Sequence, residues 1–456
     1  MELRLSGTDK STFYRKMMHV GLPVVIQHLI SIGLNLVDTL MIGRVGVDEL
    51  AAVGAANQFY FIFSMACFGF YSGAAVFASQ YWGLRDVKNI RKVVGIDISV
   101  GFTLAALFNI AGFFFAPQII GLYSDDPNVV VLGAEYLKIV CFTYIFAGMT
   151  FAISYNCRAV QNLKIPTAIN AIAIATNTLL NYCLIYGKFG FPELSIRGAA
   201  IATLFARVLE FVLMAASIYL QKEHPLRATP TELFSYGREM FVRVLKTATP
   251  VVMSETIWSI SVAMIYMAYG MLGSAALAVS QVGNVISELF QCVFFGIGNA
   301  TAVIIGESLG RSERDLAKLQ AWESVKITTL FSVIMMIILI LVRGPIAVIY
   351  NFDAETTALL LSTLFVQAIM MFPKMMSYLY ICGILRSGGD TTYCMIVDTI
   401  GNVFVQVPLA FIGVLIFKWE LYMVIGLLAI VDGIKGVLCH IRYKSGKWIN
   451  VLTEES

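Results

Sequence analysis

Charge is scarce in this chain. Only 13% of its 456 residues are Asp, Glu, Lys or Arg, against about 25% in soluble proteins. Apolar residues make up 58%, and mean hydropathy is +0.79. That balance excludes a water-soluble globule and assigns the chain to lipid. Histidine is scarcer still, with four (His19, His28, His224 and His440), and the eight cysteines include no Cys-x-x-Cys. A zinc centre or a disulfide framework is therefore not expected, and the cysteines read as small apolar packing residues. A cleaved leader is not expected either. The apolar run from Met17 is too long for a signal-peptide core and has no small-residue cleavage site, so it reads as an uncleaved first span. No His/Asp dyad, metal-ligand cluster or phosphate loop supports an intramembrane enzyme or receptor. No nucleic-acid partner is expected.

What is present is a series of apolar runs long enough to span a bilayer, about 20 residues each. Twelve can be drawn, over 17–42, 50–80, 94–116, 130–157, 165–187, 196–220, 241–270, 276–306, 322–343, 356–384, 392–417 and 420–441. The net charge of +3 says little, but its placement says more. Arg85, Lys88, Arg91 and Lys92 lie on the side of the N-terminus, as do Lys222, Arg227, Arg238 and Arg243 and the later Arg311, Arg314 and Lys318. The other side has only Arg44, Lys188, Arg197, Arg343 and Lys418. The positive-inside rule then makes both termini cytoplasmic.

The chain also contains itself twice. Pro23, Gly43, Gly46, Leu50-Ala51, Asn57, Gly69 and Gly83 recur 227 positions later as Pro250, Gly270, Gly273, Leu277-Ala278, Asn284, Gly296 and Gly310. Pro117 and Arg158 recur with a shift of 228 at Pro345 and Arg386. Each copy holds six spans, an even number, so both enter the membrane from the same side. The expected fold is all-α and polytopic, with twelve transmembrane helices in two six-helix lobes related by a pseudo-twofold axis along the membrane normal. The expected division is residues 1–220 for the N-terminal lobe, 221–240 for a cytoplasmic linker with an interfacial amphipathic helix, and 241–456 for the C-terminal lobe.

Ionisable groups inside a span cost about 2.5–3.5 kcal/mol each on insertion scales and persist where they face a cavity or a partner. Asp38 lies deep in span one. Asn35 stands three residues before it on the same helix face, and Pro23, which cannot donate a helical hydrogen bond, gives the span a place to bend. A buried carboxylate on a bendable helix is the equipment of a proton or sodium switch; bonding to a neighbouring helix is the plainer role. Span five carries Asn170, Asn177 and Asn181 on one stripe, as cation ligands or as interhelical glue. In the second copy Glu255 and Lys374 are placed to form an intramembrane ion pair. Arg207 and Glu210, three apart in span six, read as a structural pair. The copies share Pro, Gly and Asn but not charge: Asp38 answers to Ile265, Glu255 to His28, Asn177 to Val405 and Lys374 to Phe146.

The run Asn35-Leu36-Val37-Asp38-Thr39, then Ile42-Gly43-Arg44 and Leu50-Ala51-Ala52-Val53-Gly54, resembles the multidrug and toxic compound extrusion (MATE) family. So do Gln80-Tyr81-Trp82-Gly83, Gly198-Ala199-Ala200-Ile201-Ala202-Thr203 and Leu385-Arg386-Ser387-Gly388-Gly389-Asp390-Thr391. The resemblance covers essentially the whole chain. It implies an antiporter of the plasma membrane, coupled to H⁺ or Na⁺, that exports organic-cation drugs and toxins, with no other cofactor and with a monomer expected. It puts the family's span-one carboxylate on Asp38, its kinking proline on Pro23, its span-five pair on Asn177 and Asn181, its span-six threonine on Thr203 and its span-seven glutamate on Glu255. A sodium ion, if that is the coupling ion, falls at Asp38, Asn177 and Asn181. The acidic residue many members carry in span ten is replaced here by Pro373-Lys374-Met375, which leaves Asp38 as the coupling candidate. A flippase for lipid-linked precursors or polysaccharides, from the wider superfamily, would need cationic cavities for phosphate, whereas span one carries Asp and no Arg.

The charge asymmetry makes a direct prediction. A fluorescent protein fused after Ser456 should fluoresce inside the cell, and alkaline phosphatase fused there should be inactive; an active phosphatase would reverse the orientation.

Overall fold

The structure is a computed structural model that describes residues 7–124, 126–350 and 352–453, apart from the side chains of residues 7, 8, 34–36, 40 and 47. Among the described residues there is no strand. The helices are α1 (Gly7–Gly43), α2 (Val47–Gly83), α3 (Val87–Phe114), α4 (Ala116–Gly121), α5 (Pro127–Val140), α6 (Thr143–Ala159), α7 (Lys164–Tyr186) and α8 (Ser195–Leu220). They continue as α9 (Pro230–Leu233), α10 (Arg238–Gly270), α11 (Ser274–Gly310), α12 (Arg314–Tyr350), α13 (Ala354–Tyr378), α14 (Thr391–Thr399), α15 (Val407–Leu415) and α16 (Leu421–Lys444). Helix is what lipid demands, since backbone groups there find no water and must be satisfied within the segment. Among the described residues eleven helical segments are long and apolar enough to cross a membrane, and the pair α5 and α6, bent by 50°, makes twelve when taken as one span. Large apolar side chains such as Leu107, Leu179 and Leu341 are exposed, as a lipid-facing exterior requires.

The duplication is written into backbone geometry. α2 and α11 are both 37 residues long. At the end of α2, the N–H groups of Leu84, Arg85, Asp86 and Val87 donate to the carbonyls of Gln80, Trp82, Tyr81 and Arg85. At the end of α11, Arg311, Ser312, Glu313 and Arg314 donate to Glu307, Leu309, Ser308 and Ser312 in the same pattern. The left-handed residue of each turn matches too, with φ of 58° at Arg85 and 59° at Ser312. Asp126 and Asp353 cap α5 and α13, each accepting a backbone N–H.

The copies part at two places. The bend between α5 and α6 falls where the Thr143 hydroxyl donates to the Val140 carbonyl at 2.6 Å and the Cys141 thiol donates to the Lys138 carbonyl at 3.3 Å. Side chains that bond back to the preceding turn compete with the helix ladder and bend it. In the second copy the equivalent span runs through to Gly388. It is π-helical over Leu379–Leu385, and the next span is π-helical over Ile400–Gln406.

The chain forms two compact units, one of Ile26–Ala248 and one of Met1–Val25 with Thr249–Ser456. α1 thus begins in the second unit. There, a Cβ on Gly21 would lie 3.2 Å from the Gly296 carbonyl oxygen, and Lys16 Nζ pairs with Glu307 Oε2 at 2.6 Å. The start of α10 belongs to the first unit, where Gly73 lets the Ala248 backbone approach so closely that an added Cβ would lie 2.6 Å from its Cα. Both changes of unit fall beside a proline inside a helix, Pro23 in α1 and Pro250 in α10.

The residues from Arg238 that lead into span seven are helical, as the start of α10. Ahead of them, Pro225, Pro230 and Gly237 leave the segment after α8 a single turn, α9, closed by a reciprocal cap between Thr229 and Glu232. The Thr229 backbone N–H holds the Glu232 carboxyl below the usual carboxylate range. Arg91 Nη1 pairs with Glu232 at 2.7 Å, and Ser99 Oγ meets Tyr236 Oη at 2.7 Å, so the segment is fastened to α3. Gly95 permits this approach, since a Cβ there would lie 1.9 Å from the Leu233 carbonyl oxygen. Gly95→Ala should therefore lower the thermal midpoint, at a cost of about 1–3 kcal/mol. Gly54→Ala, with nothing within 4 Å of the new methyl, should be neutral or stabilising.

Candidate functional site

Asp38 sits near the end of α1, which is tied to α7 by the Tyr186 hydroxyl donating to the Met41 carbonyl at 2.7 Å. Across from it, α7 presents Asn177 and Asn181 one turn apart. Asn181 Nδ2 donates to Asp38 Oδ1 at 3.0 Å. The Asn177 amide satisfies its neighbours when its nitrogen faces the carboxylate; it then donates to Asp38 Oδ2 at 3.0 Å while its oxygen accepts from the Thr203 backbone N–H at 3.3 Å. Each oxygen of Asp38 thus receives one neutral amide donor. Thr203, on α8, turns its hydroxyl onto the Ala199 carbonyl at 2.9 Å. α1, α7 and α8 therefore meet at the carboxylate.

Two groups were not anticipated here. Tyr136 of α5 is buried and stands within electrostatic reach of Asp38. Arg207 of α8 also acts on Asp38, but its guanidinium is committed to Glu210, with Nη1 to Oε2 at 2.7 Å. The other Glu210 oxygen accepts from Asn170 Nδ2 at 3.0 Å. The asparagine stripe is thereby divided: Asn177 and Asn181 serve Asp38, and Asn170 serves Glu210. Asn181 Oδ1 is buried without a hydrogen-bond partner. The Asn35 side chain lies outside the described residues. Pro23 stays within a continuous α1.

The second unit departs from the pairing read in the sequence. Glu255 bonds Arg386, Oε1 to Nη2 at 2.9 Å, rather than Lys374. Arg386 directly follows the π-helical turn Leu379–Leu385, which delivers its side chain to α10. Lys374 is placed instead within electrostatic reach of Asp432, Lys435 and Glu288. Asp432 and Lys435 were not singled out, although two charges three residues apart inside span twelve are a visible signal. Asp97 of α3 was also missed. It is fully buried and accepts from Asn156 Nδ2 at 2.6 Å. Among the described residues no three His, Cys, Asp or Glu side chains form a metal-binding group.

A family model described as MatE matches residues 23–183 and again 250–412, so it finds the chain twice. A probable multidrug resistance protein, YoeA, of Bacillus subtilis is 25% identical over 417 residues, covering 89% of this chain and 88% of its own. A probable multidrug resistance protein NorM of Thermotoga maritima is 25% identical over 455 residues, covering 97% and 95%. Among solved structures, the Vibrio cholerae MATE transporter VcmN superposes with a TM-score of 0.88 at 17% identity, over 97% of this chain and 99% of that one. A MATE protein solved in a bent conformation gives 0.86 at 18% identity, over 95% and 96%. At these identities the structural likeness establishes the fold.

The Arg207–Glu210 pair has a testable energetic role. Arg207→Leu strands a buried carboxylate and should cost about 3–5 kcal/mol, whereas Arg207→Leu with Glu210→Leu should recover most of that loss. Thermal denaturation of the purified variants measures both.

Proposed function

The chain belongs to the MATE family of multidrug efflux transporters, and we propose that it is a cation-coupled antiporter exporting organic cations by alternating access. One observation carries the reading: Asp38 is a membrane-embedded carboxylate whose two oxygens are held by neutral amides, from Asn181 and Asn177, rather than by a fixed cation. The nearest guanidinium, Arg207, is spent on Glu210. A carboxylate in that setting attracts one positive charge, and a proton and a lipophilic cation compete for it. Protonation removes the charge that holds the drug, and deprotonation restores it.

The coupling ion is a proton in this reading, because both amides turn N–H groups toward Asp38. Sodium is the second reading. It is favoured by the partnerless Asn181 Oδ1, which joins the carboxylate as a ligand if the Asn177 and Asn181 amides rotate. The Thr203 backbone N–H fixes the Asn177 side of the site. The bend that accompanies exchange is assigned to Pro23, which removes one rung of the α1 ladder where the helix passes from one unit to the other. The existence of solved MATE structures in bent and in straight conformations supports such a device. Exchanging one monovalent cation for another moves no net charge, so the concentration gradient of the coupling ion drives export, at about 1.4 kcal/mol per tenfold difference. The protein would act as a monomer in the cell membrane, with both termini cytoplasmic.

Asp38→Asn should abolish resistance to ethidium and its efflux, at unchanged expression. Asn181→Ala, which removes one of the two donors, should reduce efflux several-fold without abolishing it. Full efflux by Asp38→Asn at normal expression would overturn the reading.

A further inference from the structure

In the second unit α12 and α16 enclose a cavity of about 550 Å³ at the ends that carry Lys318 and Lys444. Its walls are Lys318 and Trp322 of α12, His440, Tyr443 and Lys444 of α16, and the turn at 445–446. The Tyr443 hydroxyl donates to the Lys318 carbonyl at 3.1 Å and joins the two helices. Tyr380 Oη meets His440 Nδ1 at 2.6 Å, which leaves Nε2 as the remaining polar atom of that ring. The lining has two ammonium groups and no carboxylate. Lys318 Nζ lies 3.4 Å from the exposed Asp315, and Lys444 has no ion-pair partner among the described residues. The next cation along α12, Lys326, is spent on Glu323 at 2.9 Å. The cavity therefore carries positive charge that its one acidic neighbour does not cancel.

The duplicated twin of this surface is occupied. The 227-residue shift puts Lys318, Trp322 and Lys326 where the first unit has Arg91, Gly95 and Ser99. Positions four apart form one stripe along each helix. In the first unit the chain covers that stripe itself: Arg91 pairs with Glu232, Gly95 admits the Leu233 backbone and Ser99 meets Tyr236. The covering segment thus brings a carboxylate to the cation. In the second unit the stripe is open, with Lys318 exposed and Trp322 exposed to 44%. One copy meets its cation with an acid of its own, and the other leaves a cationic cavity for an anion from outside.

The source of that anion follows from what continues along the same faces. On α12, Leu330, Val333 and Ile337 follow Trp322 and are exposed. On α16, Ile434, Val437 and Ile441 precede Lys444 and are exposed too. Spacings of three, four and eight keep each set on the face that leads to the cavity. In a membrane such faces meet acyl chains, and tryptophan at the end of a span marks headgroup depth. A ligand with its phosphate at Lys318 and Lys444 and its chains along Leu330 and Ile441 is a lipid; a soluble phosphate uses only half of the surface. Lysine meets phosphate as a point charge, and basic pockets between span ends suit anionic headgroups.

We propose that the cavity between α12 and α16 binds the phosphate headgroup of an anionic membrane phospholipid through Lys318 and Lys444, with Trp322 beside it. The site belongs to the second unit alone, because the first unit covers the matching stripe with its own acidic segment.

Trp322 is the reporter. The purified full chain is placed in phosphatidylcholine vesicles containing rising amounts of phosphatidylglycerol brominated on its acyl chains. Subtracting the signal of Trp322→Phe isolates this tryptophan from the rest. Its quenching should be half-maximal at a mole fraction about tenfold lower than with brominated phosphatidylcholine, given two lysines near the headgroup. Lys318→Gln with Lys444→Gln should remove the preference, whereas Lys88→Gln with Lys92→Gln, two cations of α3 assigned to the same side, should keep it. Lys444→Gln alone, which breaks no ion pair, should weaken the preference and serves if the double variant does not fold. Inorganic phosphate should not displace the lipid when compared with chloride at matched ionic strength; displacement assigns the site to a soluble anion and overturns the proposal. Equal quenching by the two lipids in the wild type overturns it as well. If a preference then appears in Glu454→Gln with Glu455→Gln, the chain's own acidic end is the occupant. A preference unchanged in the Lys318 and Lys444 variants, or lost equally in the Lys88 and Lys92 variant, also contradicts a site at this cavity.

Discussion

A charge placed in hydrocarbon must be compensated within a few ångströms, and nearly everything specific about this protein follows from how it meets that demand. Neutral amides serve Asp38, a guanidinium serves Glu210, and an amide serves Asp97. In the second unit an ammonium and a guanidinium serve three carboxylates. Structural pairs are closed, each charge meeting its opposite. Asp38, met by neutral amides alone, keeps a reason to exchange a cation with the surroundings.

The second constraint is backbone satisfaction, and it explains why helix is nearly the only structure present. Where regular α-helix is given up, a local cause is visible. Side-chain bonds from Cys141 and Thr143 back to the preceding turn accompany the bend between α5 and α6. Pro23 and Pro250 each remove a rung of the ladder beside the residue where a helix changes unit. Close glycine contacts hold the segment before each proline, Gly21 on Gly296 and Gly73 on Ala248.

Much of this was legible in the sequence because period and punctuation are local. The 227-residue repeat and the glycines ending α2 and α11 mark matching turns, whose backbone hydrogen bonds agree pair for pair. The stripe of Asn177 and Asn181 predicts a shared face, and the shared partner is Asp38. The rest depends on contacts between distant segments. Glu255 meets Arg386 rather than Lys374 because a π-turn delivers the arginine, and a π-turn has no hydrophobic period to betray it. Tyr136 reaches Asp38 only through the packing of α5, which its own segment does not mark. Ahead of α10, the prolines of the segment after α8 and its docking on Gly95 leave a single helical turn.

Whether Asp38 exchanges a proton for a drug is decided most directly in vesicles containing the purified protein, in sodium-free buffer, with ethidium as a permanently charged probe. An imposed pH step should drive ethidium toward the more acidic side, and Asp38→Asn should remove that flux. Transport that ignores the pH step and follows a sodium gradient at matched pH would contradict the account.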